Sequence, residues 1–301
     1  MSSPVIQQTE VKSVITKSNL PVCGYSVNPY MGCERGCRYC YASFMRRFTG
    51  HTEPWGAFLD VKNWPEIKKT KKYAGKEPFI GSVTAPYLPQ EEKYGRTRAL
   101  LEQLKGSGAK LSIATKSDLI LRDLELIHTF PQARVSWSVN TLDEGVKNDM
   151  DSAASIGRRL AAIKAFHRAG VRSTCFISPA FPGITDVKAI IGRVKGQCNL
   201  IWLENLNLRG SCKTAILGYI QEKYPALPPP YREIYQKGSH SCWERLDEQL
   251  RARAAETGLA YVTNDDSMKR PFEAPPVIVN YFYHKQVGKR AARAGGLTGR
   301  A

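Results

Sequence analysis

Asn28-Pro29-Tyr30-Met31-Gly32-Cys33-Glu34-Arg35-Gly36-Cys37-Arg38-Tyr39-Cys40 is the stretch on which the fold and the chemistry turn. It sets three cysteines in the pattern C-x3-C-x2-C, directly after a short β-prone run at 26–30. Thiolates are the ligands of iron–sulfur clusters. Three of them from one loop can wrap three corners of a cubane if the backbone turns sharply, and Gly32 and Gly36 stand where such turns need positive φ or close approach. Three thiolates for four irons leave one iron open to a small molecule, and an open position separates a reactive metal site from a closed one. The alternative is a zinc site with Cys23 as fourth ligand. Zinc sites usually pair C-x2-C knuckles from separated segments, whereas this is one compact run.

Working outward, short runs rich in Val, Ile, Ser or aromatic residues recur at 26–30, 79–84, 110–115, 134–139, 171–177 and 200–205, each bounded by Gly, Pro or polar turns. Helical spacing fills the intervals at 97–104, 119–130 and 156–169. In the last of these Ile156, Leu160, Ile163 and Phe166 form a stripe behind Arg158, Arg159 and Lys164. Asp186 is placed to cap a helix over 187–194. This β-α rhythm predicts parallel strands with right-handed crossovers. Six strands are fewer than the eight of a closed barrel, so the expected fold is α/β, an open (β/α)6 crescent or partial TIM-like barrel. Its functional residues should gather at the carboxyl ends of the strands. The expected division is an irregular N-terminal segment (1–20), the core (21–209), a mainly helical C-terminal cap (210–284) and a basic, disordered tail (285–301). Within the cap, 214–224 and 242–257 read as helices separated by a break at Leu227-Pro228-Pro229-Pro230.

Eight cysteines without a signal-peptide pattern argue against a disulfide framework and for a cytoplasmic protein. No apolar run approaches the length of a membrane span. With 44 basic against 27 acidic residues the net charge is +17, which favours polyanionic partners, above all nucleic acid. The same charge also suits a solvated surface with a basic tail.

The spacing C-x3-C-x2-C with an aromatic before its last cysteine resembles the radical S-adenosylmethionine (radical SAM) superfamily. That resemblance implies a [4Fe–4S] cluster on Cys33, Cys37 and Cys40, with S-adenosylmethionine chelating the fourth iron. It further implies an external electron donor, reductive cleavage to a 5′-deoxyadenosyl radical, and hydrogen abstraction from a substrate. Asn28-Pro29-Tyr30, Thr115-Lys116-Ser117, Ser136-Trp137-Ser138-Val139-Asn140-Thr141, Pro179 and Phe181-Pro182-Gly183-Ile184-Thr185-Asp186 resemble the spore photoproduct lyase subgroup. The strings SNLPVCGYSVNPYMGC (18–33), ASFMRRFTGHTEPWGAFLDVK (42–62) and SMKRPFEAPPVIVNYFYH (267–284), with 200–210, resemble radical SAM mobile pair protein B more closely still.

By this resemblance Tyr39 lies beside the adenine and Ser82 and Thr84 approach the methionine amino group. Lys116 pairs with the methionine carboxylate, and Ser138 and Asn140 meet the carboxylate or the ribose hydroxyls. The lyase family quenches its product radical with a cysteine after the second strand. Here Gly81-Ser82-Val83-Thr84-Ala85-Pro86 has none, and Ala85 replaces an aspartate of that family. Cys175, on the fifth strand, is the catalytic candidate, a hydrogen donor if it faces the lumen and a small buried hydrophobe if not. Cys212 and Cys242 in the cap, and Glu204, Asn205 and Asn207 on the rim, are further candidates. So are Tyr281, Phe282, Tyr283 and His284 as a base-stacking run, with a docked C-terminal strand with a packed face as the alternative. Three functions follow: a radical enzyme that modifies or repairs nucleic acid or nucleotides, a peptide or protein maturase working with a companion protein, and a non-catalytic metal-binding nucleic-acid adaptor.

Overall fold

The computed structural model describes residues 3–19, 23–208, 210–263 and 277–280. In chain order, β1 (Val5–Glu10), β2 (Ile15–Lys17), β3 (Tyr25–Val27) and β4 (Tyr30–Gly32) precede a 3-10 helix at Tyr41–Phe48 and β5 (Phe58–Asn63). Next come β6 (Pro78–Ile80), α1 (Glu91–Tyr94), α2 (Arg96–Leu104), β7 (Leu111–Thr115), a 3-10 turn at Leu119–Asp123 and α3 (Leu124–His128). Then follow β8 (Ala133–Ser138), α4 (Glu144–Met150), α5 (Ile156–Arg168), β9 (Arg172–Ala180), α6 (Val187–Val194) and β10 (Leu200–Asn205). The chain continues through α7 (Ser211–Lys223), α8 (Pro228–Tyr235), α9 (Ser241–Thr257), β11 (Ala260–Thr263) and β12 (Val277–Asn280).

The main sheet runs β11-β12-β10-β9-β8-β7-β6-β3-β2. From β3 through β10 every pairing is parallel, giving the six-stranded open α/β crescent that the sequence rhythm implies. Register sorts the side chains onto two faces. Ile113, Val135, Trp137, Cys175, Ile177, Ile201 and Leu203 lie on the side that packs with Leu100 and Leu104 of α2, Phe166 of α5 and Ile190 of α6 in one core. The indole of Trp137 meets the Phe166 ring edge-on at 5.1 Å. Ser112, Ser136, Ser138, Thr174 and Phe176 therefore face the opposite, concave side.

Capping places the helix starts. Asp143 Oδ1 accepts from the amides of Gly145 and Val146 at the start of α4, and Asp186 Oδ1 accepts from Ala189 N at the start of α6. The expected helix at 119–130 is a 3-10 turn as far as Asp123 and α-helical only from Leu124 to His128. The fully buried carboxylate of Asp123 is held by Tyr87 Oη (3.0 Å) and Arg98 Nη1 (2.6 Å).

Several expectations change. The segment 1–20 is not irregular, because β1 pairs in parallel with β5, and β5 pairs antiparallel with β4, in a separate three-stranded sheet. The first expected strand splits into β3 and β4, which belong to different sheets. The break expected at Leu227-Pro228-Pro229-Pro230 does separate α7 from α9, but the prolines also open a further helix, α8, where the missing amides of a first turn are harmless. Nor does the sheet stop at β10, since β12 and β11 extend it in parallel with Ile278 fully buried. The run Tyr281–His284 and the tail 285–301 lie outside the described residues.

Candidate functional site

The cysteine loop leaves β4 at Gly32, whose φ is +84°. A Cβ there would stand 2.5 Å from the Phe58 carbonyl oxygen of β5, so the position demands glycine. Gly36 has φ +55°, and Gly56 packs so closely on it that an added Cβ at 56 would lie 3.1 Å from the Gly36 Cα. The loop is fastened on several sides. Thr84 Oγ1 donates to Gly32 O (2.5 Å), Arg38 N to Met150 O (2.9 Å) and Ser152 N to Arg35 O (3.1 Å). Arg35 Nη2 donates to Tyr87 O (3.3 Å).

Cys33 is buried, and Cys37 and Cys40 are half-buried. Burial raises all three thiols, Cys37 to about 11, while the Lys116 ammonium acts on each in the opposite direction. Lys116 follows directly on β7, and its Nζ lies 5.2 Å over the Tyr39 ring. Tyr39 Oη donates to Asp151 Oδ2 (2.9 Å), and Arg159 Nη2 donates to Asp151 Oδ1 (2.6 Å). Burial opposes ionisation of Asp151, yet Lys116 and Arg159 outweigh it and hold that carboxyl below its ordinary value. Arg159 also donates from Nη1 to Ser138 O (3.0 Å) and from Nε to Ala154 O (2.8 Å).

The other expected residues divide. Ser82 Oγ is shared between Ser26 Oγ (2.5 Å) and Asn28 Nδ2 (2.9 Å), and Thr84 grips Gly32, so both hydroxyls act on the strand ends and the loop. Ser138, half-buried, ends β8 on the concave face. Asn140 is 2% exposed and its Nδ2 has no partner, a buried donor in want of an acceptor. Glu204 stands at the end of β10, accepting from Ser178 Oγ at 3.1 Å. Cys175 does not face the lumen. It shares the helix-facing side with Trp137 and Ile201, is fully buried, and its thiol is pushed well up by burial and by Cys198. Placed there, it cannot present sulfur to a substrate in the crescent. Cys212 is buried and Cys242 half-buried, and both sit in the cap helices α7 and α9.

Sequence reasoning missed three residues. Asp151 carried no motif, and Arg159 was counted with the solvated face although it is 1% exposed. Its spacing from Ile156 and Ile163 already put it on the apolar side of α5. Tyr41, next to the last cysteine, donates its hydroxyl to Ser82 O.

The donor set suits a cubane with a small-molecule ligand. It offers three thiols in one loop, a lysine whose charge favours their ionised form, and an unpaired amide donor at Asn140.

The chain is similar to known proteins over most of its length. An uncharacterized protein of Methanocaldococcus jannaschii is 35% identical over 222 residues, 73% of this chain and 84% of the relative. The fold is similar to spore photoproduct lyase complexed with dinucleoside spore photoproduct (TM-score 0.53, 15% identity, 73% of this chain and 66% of that one). It is also similar to Streptococcus suis SuiB bound to precursor peptide SuiA (TM-score 0.52, 14% identity, 97% of this chain and 52% of that one). The chain therefore spans less than two-thirds of either solved structure. The family model for the radical SAM superfamily matches residues 27–190, from β3 through the cysteine loop to α6. The chain belongs to the radical SAM superfamily, enzymes that use a [4Fe–4S] cluster, S-adenosylmethionine and an electron donor.

Proposed function

We propose that Cys33, Cys37 and Cys40 ligate three irons of the cluster and that the enzyme acts on a nucleic acid or nucleotide. The observation that carries the first half is the C-x3-C-x2-C loop itself, fastened to Thr84, Met150 and Ser152 and lying within the residues that the family model matches. When bound, the cluster and S-adenosylmethionine supply reductive cleavage of the sulfonium and a hydrogen-abstracting adenosyl radical. Lys116 is placed to pair with the methionine carboxylate. Asn140 Nδ2 offers a donor to that carboxylate or to the ribose hydroxyls, with Ser138 beside it. Tyr39, fixed by Asp151, forms an apolar wall for the adenine. Ser82 and Thr84 act as positioning residues that hold Asn28 and Gly32.

Support for the substrate class comes from the net charge of +17 and from the likeness to a lyase complexed with a dinucleoside. A second reading, a peptide-modifying enzyme with a companion protein, draws on the likeness to peptide-bound SuiB, which spans nearly the whole chain. Anaerobic reconstitution should give about four irons and four sulfides per chain and 5′-deoxyadenosine on reduction. Deuterium transfer and product mass shifts are then compared between nucleic acids and peptides. Modification of peptides alone would replace the first substrate class with the second.

A further inference from the structure

The 3-10 helix Tyr41–Phe48 begins one residue after Cys40 and carries an unusual surface. Tyr41 is 61% exposed, Phe44 44% and Phe48 65%, so three large aromatic rings stand in solvent on one short element. Such a concentration of exposed apolar area marks a contact surface. Between the rings stand two exposed arginines. The Arg47 guanidinium lies 5.5 Å from the Phe44 centroid and 4.7 Å from that of Phe48. Phe44 and Phe48 meet edge to face at 6.5 Å. Arg46 Nη2 is tethered to Thr52 O (2.5 Å), so its charge is held at the helix end.

We infer that this helix is a platform for a single-stranded nucleic acid, with bases stacked on Phe44 and Phe48 and phosphates drawn to Arg46 and Arg47. The inference rests on the proposed nucleic-acid substrate and adds where the strand lies. Flat rings alternating with guanidinium groups match a polymer that alternates flat bases with anionic phosphates, and base–aromatic stacking tolerates any sequence. The chain's +17 charge is complementary to the same partner. Position agrees as well. The helix adjoins the mouth through Tyr41, whose hydroxyl sits on Ser82 O, so a strand resting here runs past the site where its reacting nucleotide must enter.

The test is fluorescence anisotropy of the reconstituted full chain with a fluorescein-labelled single-stranded DNA of mixed sequence and its RNA counterpart. Phe44→Ala and Phe48→Ala should each weaken binding about tenfold with little change in the salt slope. Arg46→Gln and Arg47→Gln should lower the salt slope by about one unit each. Phe44→Leu and Phe48→Leu keep the apolar bulk and should still lose affinity, which separates stacking from folding. Cofactor cleavage driven by dithionite should be unchanged in all of them. If the wild type binds but the variants bind equally well, the platform is refuted while the substrate class stands. If the wild type binds neither DNA nor RNA, the substrate class falls and the platform with it. If the variants bind strands normally but slow cleavage only when a flavodoxin replaces dithionite, the surface belongs to the electron donor and the inference is overturned.

Discussion

Cys37 sits midway through the loop, between the two other thiols and close to both Lys116 and Asp151. On the proposed ligation, removing its sulfur leaves two ligands, too few to hold a cubane, so Cys37→Ala is expected to purify without cluster absorbance and to release no 5′-deoxyadenosine on reduction. Asp151 has a different part. Its side chain and that of Arg159 are 0% and 1% exposed, and losing one charge strands the other in the interior. Asp151→Asn should destabilise the protein by about 3–5 kcal/mol near neutral pH. Because the folded carboxyl titrates below its ordinary value, its contribution is complete above that ordinary value, about pH 4, and is lost as the pH falls through the folded one. The gap between wild type and variant in urea melts should therefore close as the pH drops below about 4. The cysteines were legible because ligand spacing is local. Asp151 was not, because Tyr39 lies 112 residues away in the chain and no local pattern announces such a partner.

Among elements, β5 and the turn before it show how an unforeseen piece supports the site. His51 stacks on Phe58 at 4.0 Å and sits between Asp60 Oδ1 (2.7 Å) and Glu53 Oε2 (3.1 Å). Burial alone would lower its pKa, but the two carboxylates outweigh that and hold it above the ordinary histidine value. The stabilisation is complete below about pH 6.5 and is lost as the pH rises through the folded value. His51→Gln should thus cost about 2 kcal/mol at pH 6 and much less at pH 9, read from thermal melts at the two pH values. Periodicity found the strands of the crescent because each is apolar on its helix-facing side. It overlooked β5 because Phe58, Leu59, Asp60 and Val61 are all buried, a run without the alternation that marks a half-buried strand. β1 was passed over for the opposite reason, since its residues are mostly exposed and polar.

At the scale of the whole molecule, β10 is an interior strand only because β12 covers it. Ending the chain after Gly258 would leave β10 as an edge and remove the fully buried Ile278. That truncation should lower the melting temperature and promote aggregation, measured by light scattering during a thermal ramp. The open α/β crescent could be anticipated from a rhythm repeated six times. Of the closing strands the sequence suggested only a docked C-terminal one around 281–284, because β11 and β12 are four residues each and separated by a long connection.

The fastening of the cysteine loop has a last consequence. Thr84, Met150, Ser152, Tyr87 and Phe58 grip its backbone and Arg35, and none of those grips passes through a sulfur atom. In a zinc finger the metal supplies the folding energy, and its removal unravels the chain. Here the mould is set before it is filled. Oxygen should bleach the brown protein while its circular dichroism and melting temperature barely move, and fresh iron and sulfide should restore the colour without a refolding step.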